Sequence, residues 1–565
     1  MIFFKHDWPR TLLIAAFALV HLLLCYFGHS PFGPSQSVEN LWVTVFFALA
    51  LFFPFLSLIG VFCSWLSVIL ILNFINYLKL KYLLRQISEY DFRIIFSSPA
   101  YSLDALLGYG PNRYLPLILL LLFLVFLAVK FRKFSRVIDV KKLSYKLFSA
   151  ALALSIFFAH YFSYQISLEQ SSGKNIDALG MIAYTGSKAY LRDVKSLLKK
   201  DEKEEIVGQE KIKISAKKYL TNAKKNIKPN IVFVLAESTF DPNKIFILKS
   251  PYRENSLFRA DKKEYYGDLE VSITGGGTWV TEFETNSGIS TKALGTSDHI
   301  NTAIAPHLKT SFARYLQQKN YTASVFFPIT RAFVNKGETY LKSYGFDSIE
   351  DSESLDMNGA RIRDGYDVEM VRQVIKKLPK ENKNPFFSYV ILLENHGPHD
   401  CRKNSLNPDQ YRLLNDDDFR KNCEVDEYLA RAKSSDLAIK NLENELRKIE
   451  REQHRPFLMV IFGDHQPWTF NKNNYDKNRV KGSSRYSTFY KIIASDSLPT
   501  IKIPKKISPN LLPTIVSSIF ATRVEDLYVP ENYYLFEKCG VVSSFEDCLA
   551  KLKSKRLDYG KYFGL

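Results

Sequence analysis

Apolar residues crowd into the first 165 positions of this 565-residue chain, and no other feature narrows its possible folds so far. The runs 11–27, 41–78, 115–129 and 147–163 are long and apolar enough to read as membrane-spanning helices. At 1.5 Å per residue the 41–78 run is about twice what one span needs, so it predicts a hairpin turning near Pro54 to Gly60, and five spans in all. No small-residue cleavage site follows the first run, and more spans do, so a removable leader is not expected. Charge sets the orientation. Segment 130–146 carries Lys130, Arg132, Lys133, Arg136, Lys141, Lys142 and Lys146 against the single acid Asp139, which predicts a cytoplasmic loop. With Lys5 and Arg10 also inside, five spans place everything after residue 165 outside.

The chain is 46% hydrophobic, yet its mean hydropathy is −0.12, so the rest must be polar and globular. Three parts result: a transmembrane domain over 1–165, a membrane-surface helix and Lys/Glu-rich linker over 166–228, and an extracytoplasmic α/β domain over 229–565. The net charge of +18 suits a domain beside anionic headgroups. No nucleic-acid module accompanies it, so a nucleic-acid partner is not expected. Cys401 with Cys423, and Cys539 with Cys548, form two locally spaced pairs that suit disulfides in an oxidising compartment, whereas Cys25 and Cys63 fall in apolar runs.

After the linker, three short continuous apolar runs appear, at 230–236, 386–393 and 456–462, as buried parallel strands require. They end in Glu237-Ser238, Glu394-Asn395-His396 and Gly463-Asp464-His465. Helical patterns at 308–319, 365–378 and 424–449 alternate with them, which predicts a mainly parallel sheet with helices on both faces. The charge runs on those helices read as solvated faces, and Ser508-Pro509 followed by NLLPTIVSSIF reads as a capped, buried helix.

Ligands gather at the carboxyl ends of strands in such sheets. Glu237, Asp464 and His465 are therefore candidate ligands for a divalent metal. Between the first two strands, Gly275-Gly276-Gly277 runs into Thr278 at the start of an expected helix, with Val280, Phe283 and Ile289 as a sparse apolar stripe. Glycines there let the backbone approach an anion, and a helix start favours one. Two carboxylates, an imidazole and the Thr278 oxygen make a four-ligand set suited to zinc or manganese. A free hydroxyl is a poor nucleophile, and coordination stabilises its alkoxide form. The implied chemistry is two-step phosphoryl transfer through a phosphothreonine, with His396 binding the phosphate or serving as general acid.

The motifs N-I-V-F-V-L-A-E-S, G-G-G-T-W-V-T-E-F, N-H-G-P and F-G-D-H, in that order behind five spans, resemble the alkaline-phosphatase superfamily branch of lipoteichoic acid synthase and the phosphoglycerol transferases of membrane-derived oligosaccharides. The resemblance implies Glu237, Thr278, Asp464 and His465 as metal ligands, Thr278 as nucleophile and His396 at the substrate phosphate. It also implies substrate contacts from Trp279 and from the segment holding Arg331 and Lys336. There the synthases carry a tryptophan and an arginine, and this chain has Val334 and Lys336; a lysine keeps the charge but loses the planar fork. The implied partners are a phospholipid donor and an envelope glycan or lipid-linked acceptor, and the implied location is the bacterial cytoplasmic membrane, facing the periplasm or exterior.

Three alternatives stand beside phosphoglycerol transfer. Phosphoethanolamine transferases are similar but typically carry a further histidine after the Asp-His pair, and none follows His465. A hydrolase would use water as acceptor; sulfatases normally use a modified cysteine or serine in a C/S-x-P-x-R setting, unlike Thr278-Trp279-Val280-Thr281. A degenerate membrane scaffold would lack the ligands that are present here.

Overall fold

The computed structural model describes residues 207–220, most of 227–540 and 559–563, with Ile75, Asn76 and Lys79. Apart from Ile75 and Asn76, the four apolar runs and the spans expected from them lie outside the described residues, as does the surface helix expected within 166–200. Among the described residues no helix is long and apolar enough to cross a membrane.

The sheet is built on β1 (Asn230–Ala236), every residue of which is buried. The other strands are β2 (Glu264–Glu270), β3 (Thr322–Phe326), β4 (Ser348–Glu350), β5 (Phe386–Leu392), β6 (Phe457–Gly463), β7 (Ser487–Ala494) and β8 (Lys506–Ile507). They form one eight-stranded sheet in the order β4-β3-β5-β1-β6-β7-β2-β8. All neighbours pair in parallel except β7, which runs antiparallel to both β6 and β2. β1, β5 and β6 are the runs legible in the sequence; each is buried throughout, which is why apolar residues run on consecutively in each rather than alternating, Asn230 and Ser388 excepted. Their register brings the polar tips together. Ala236 stands opposite both Leu392 and Gly463, so the central three strands end level and the next residues of each emerge side by side. Gly463 is where only a glycine fits: a Cβ there would meet Thr239 O at 1.9 Å, where the turn after β1 crosses the end of β6.

Among the described residues the α-helices longer than one turn are α1 (Gln209–Lys217), α2 (Trp279–Ser287), α3 (Phe312–Gln317), α4 (Tyr366–Lys377), α5 (Phe419–Gln453), α6 (Leu511–Ser517) and α7 (Glu531–Cys539). α2 packs on α3 and α6, while α4 packs on α5. Four expectations change in detail. The tract read as linker contains α1, which buries Ile212 in a cluster with Val207 and with Tyr534 and Cys539 of α7 and sets Ser215 Oγ 2.5 Å from Glu537. The helix expected at 308–319 is cut to α3, entered through Ser311, whose hydroxyl accepts the Arg314 N–H. α6 is buried as expected, but its N-cap, Asn510, makes no side-chain cap. α2 buries Val280 and Phe283 as expected, but its polar residues are buried as well, and Ile289 lies just past its end, buried too.

α5 has 35 residues, about 52 Å of helix, against about 23 Å for the seven residues of β6 after it. Its N-terminal half therefore extends past the carboxyl ends of the strands. Asp418 caps it, accepting the Arg420 and Lys421 N–H groups. Tyr428 on this stretch bonds both the N–H and the carbonyl of Phe240, at 2.8 and 2.5 Å, and so pins the turn after β1. Glu427 and Arg431, expected on a solvated face, are both buried.

The disulfide Cys401–Cys423 ties the segment after β5 to α5, with a Cα–Cα distance of 5.3 Å across 22 residues. Cys539 is also disulfide-bonded, and Cys548, expected as its partner, lies outside the described residues. Closing a loop of this length restricts the unfolded chain, so Cys423→Ala is expected to cost about 3 kcal/mol. Denaturant unfolding under oxidising conditions measures it, and a midpoint equal to that of the parent protein would contradict the estimate.

Candidate active site

The level ends of β1 and β6 put Glu237 beside Asp464 and His465, all three buried. His465 Nε2 lies 3.3 Å from Glu237 Oε1 and 3.2 Å from Asp464 Oδ2. One ligand atom from each residue falls within 4.8 Å of the others. The backbone holds the set in place: Asp464 Oδ1 accepts the N–H groups of Ser238 (2.7 Å) and His465 (2.9 Å). Ser238 adopts φ +54°, a strained conformation for a residue with a side chain, directly after the ligand Glu237 would provide.

The glycine turn brings the fourth residue. Gly275, Gly276 and Gly277 have φ of +79°, +145° and +94°, conformations closed to most side chains. Gly275 N–H donates to Gln466 O at 2.8 Å, and Thr281 Oγ1 donates to Asp464 O at 2.9 Å, so α2 is anchored to the tip of β6 from both sides of Thr278. Thr278 is the N-cap residue of α2, yet its hydroxyl makes no cap bond. It donates instead to Glu237 Oε2 at 2.7 Å.

The charges in this cluster shift one another. Burial pushes Glu237 up, but the charge of His465, with smaller contributions from His396 and the Thr278 hydroxyl, holds it below the usual carboxylate range. Burial and then the charge of Glu237 push Asp464 up. Burial alone would lower His465; the Asp464 and Glu237 carboxylates outweigh it and raise the imidazole to about 9. Asp464 Oδ2 and His465 Nε2 are buried and, despite their short separation, make no hydrogen bond to any described residue. Two orphaned ligand atoms on converging side chains, next to an oriented hydroxyl, fit one divalent cation. Asp464→Asn, which turns a charged ligand into a neutral one, is expected to weaken zinc or manganese binding at least tenfold by titration; unchanged affinity would place the cation elsewhere.

His396 follows β5 on the same edge. Its Nδ1 lies 2.7 Å from Gly397 O, and its charge is felt at Glu237. Trp279 is buried at the start of α2. Arg331 is exposed, with Nε donating to Asp351 at 2.7 Å. Lys336 stands apart from the open site: it is 2% exposed, and its ammonium is held by Glu282 of α2, one turn beyond Thr278. His399 is buried against Phe470 and Tyr428. No local signal marks Glu282 or Arg431 in the sequence, since each is defined by partners far along the chain.

A mainly parallel α/β sheet that gathers these groups at its carboxyl edge is the arrangement of the alkaline-phosphatase superfamily. Within it, residues 229–515 match the family model named Sulfatase, and the chain belongs to that family. A Haemophilus influenzae protein of uncharacterised function is 25% identical over 251 residues, 42% of this chain and 44% of that protein. The putative cyclic beta-1,2-glucan modification protein of Rhizobium meliloti is 23% identical over 240 residues, 42% of this chain and 36% of its own. The capsular polysaccharide biosynthesis protein RkpI of the same organism is 26% identical over 212 residues, 36% of this chain and 35% of its own. The chain thus spans less than half the length of each of these relatives. Among solved structures, Streptococcus pyogenes phosphoglycerol transferase GacH superposes with a TM-score of 0.45 at 17% identity, covering 63% of this chain and 94% of GacH. Neisseria meningitidis phosphoethanolamine transferase EptA gives 0.44 at 13%, covering 88% and 97%.

Proposed function

We propose that this protein transfers a phosphoglycerol-type headgroup from a membrane phospholipid to a cell-envelope glycan through a phosphothreonine at Thr278. The observation that carries the reading is the 2.7 Å hydrogen bond from Thr278 Oγ1 to Glu237, made by a helix-cap hydroxyl that leaves its own helix uncapped. Glu237, Asp464, His465 and Thr278 would hold the cation. When bound, zinc or manganese supplies Lewis acidity that offsets charge on the phosphoryl oxygens and on the nucleophile.

The chain's own groups account for the rest. Glu237 orients the Thr278 hydroxyl, which loses its proton to solvent as Oγ1 attacks phosphorus. The bond from phosphorus to the lipid glycerol oxygen breaks, and that oxygen leaves with a proton from His396. In the second half a glycan hydroxyl attacks the phosphothreonine and gives its proton to His396, the phosphorus–Oγ1 bond breaks, and the Thr278 oxygen regains a proton from solvent. The Nδ1 bond to Gly397 O supports Nε2 as the nitrogen of His396 that would exchange the proton. The N-terminal apolar runs support a multi-pass anchor in the bacterial cytoplasmic membrane with the catalytic domain outside, where phospholipid rather than a nucleotide is the phosphoryl source. The names borne by the two Rhizobium meliloti relatives favour a glycan acceptor.

Mass spectrometry of the Thr278 peptide after exposure to mixed phospholipids tests the reading. A glycerophosphoryl adduct is expected. An ethanolamine-phosphoryl adduct moves the assignment to phosphoethanolamine transfer, and no adduct sinks the covalent mechanism. Headgroup release that is indifferent to added glycan marks a hydrolase instead.

A further inference from the structure

His396 is carried by a loop without regular secondary structure, and such a loop must satisfy its buried carbonyls somewhere. They converge on one side chain. Arg431 of α5 is 4% exposed, and its guanidinium donates to the carbonyl of His396 at 2.9 Å, of Pro398 at 3.2 Å and, more weakly, of Glu394 at 3.4 Å. The same guanidinium donates to Glu427 Oε1 at 2.5 Å, and Glu427 Oε2 accepts the Cys401 N–H at 2.7 Å. Cys401 is in turn bonded to Cys423. Cys423, Glu427 and Arg431 are spaced four apart, so they form one stripe of α5 that tracks the loop from residue 394 to residue 401. One turn further on, Ser434 Oγ donates to Glu394 Oε2 at 2.9 Å and continues the stripe.

We propose that Arg431, held in place by Glu427, is a positioning residue that sets where His396 stands over the site. It touches no reacting atom; it acts through the backbone from which the imidazole springs. The role needs a guanidinium: a planar fork of five N–H donors spans three carbonyls and a carboxylate at once, whereas a lysine ammonium is a single point with three donors. A displacement of about 1 Å in a group that moves a proton costs about 100-fold in rate, so the effect falls on turnover rather than on binding. The proposal rests on the reading of His396 as the group at the substrate phosphate.

The test uses the full-length protein in detergent, with Arg431→Lys, Arg431→Ala, Glu427→Gln and His396→Gln. Arg431→Lys is expected to lower kcat by about 30- to 100-fold with KM for phospholipid changed by less than about threefold. Amide hydrogen exchange should rise at least about tenfold within 394–399 and stay unchanged in β1 and β5. Millimolar guanidinium should restore part of the kcat of Arg431→Ala by refilling the gap, and Glu427→Gln should show a milder form of the same defect. Wild-type kcat in Arg431→Lys, lost turnover without local loosening, or loosening spread over the strands would each overturn the proposal. If Arg431→Lys does not fold, the guanidinium response of Arg431→Ala decides, and no recovery counts against it. His396→Gln separates the two claims: wild-type turnover there removes the role of His396, and the exchange data still report whether Arg431 shapes the loop.

Discussion

Thr278→Ala is expected to lower headgroup transfer by about 10⁴-fold or more while leaving a folded protein, because it removes the attacking oxygen and little else. The second half of that expectation is specific to this structure. A threonine at an N-cap normally accepts a hydrogen bond from its own helix, and its loss costs about 1 kcal/mol. Thr278 makes no such bond, and its backbone is already helical, at φ −40° and ψ −35°. Alanine suits that conformation, so the thermal midpoint should stay within a few degrees of the parent protein. The Thr281 and Gly275 anchors, which hold α2 to the tip of β6, are untouched. Headgroup release and thermal unfolding, measured on one preparation, check both halves. Turnover within tenfold of the parent would remove Thr278 from the mechanism, and a collapsed melting transition would show that its hydroxyl serves the fold.

The largest effect on stability belongs to Lys336→Met. Lys336 and Glu282 are buried, with side chains 3% and 1% exposed, and the ammonium lies 5.2 Å from the ring centre of Phe327 and 5.7 Å from that of Tyr340. Removing the lysine strands a carboxylate inside the protein, an error that costs about 3–5 kcal/mol. Removing both charges is far cheaper, since the pair attracts only enough to offset the desolvation of its members. Lys336→Met with Glu282→Leu should therefore recover most of the loss, and denaturant unfolding of the four proteins in the cycle measures the coupling. Additive losses would mean that the two side chains do not depend on each other. Because Glu282 lies one turn after Thr278, the single substitution should also lower activity in the surviving folded fraction.

The parts of this fold that were legible are those in which a residue's surroundings are encoded next to it. β1, β5 and β6 are buried on both faces, so each is a nearly continuous apolar run that stops at a polar tip, and those tips include the three candidate ligands Glu237, Asp464 and His465. Thr278 was legible because three glycines in a row mark a backbone that side chains cannot follow. The remainder depends on partners far away. α1 hides in a Lys/Glu-rich tract because only Ile212, Ser215 and Ala216 are buried, too few to make a periodic signal. β2 carries glutamate, aspartate and glycine among its tyrosines and does not resemble a strand until it pairs with β7. Lys336 reads as a charge available to substrate, and the carboxylate that holds it lies 54 residues earlier. Arg431 sits in a run of charges that resembles a solvated helix face, and only the path of the loop after β5 shows what it binds.

The level ends of β1 and β6 set an order of events on the chain as it is made. The Ser238 N–H and the Asp464 carboxylate that receives it are 226 residues apart, and β6 cannot pair with β1 until the residues between them are available. A chain that emerges N-terminus first therefore presents Glu237 and Thr278 long before Asp464 and His465 arrive. During that interval Gly275 and Thr281 lack the partners at the tip of β6 that anchor α2, so neither the Glu237–Asp464–His465 cluster nor the placement of Thr278 beside it exists on a partly emerged chain. The assembled cluster belongs to the paired strands β1 and β6 and to neither alone.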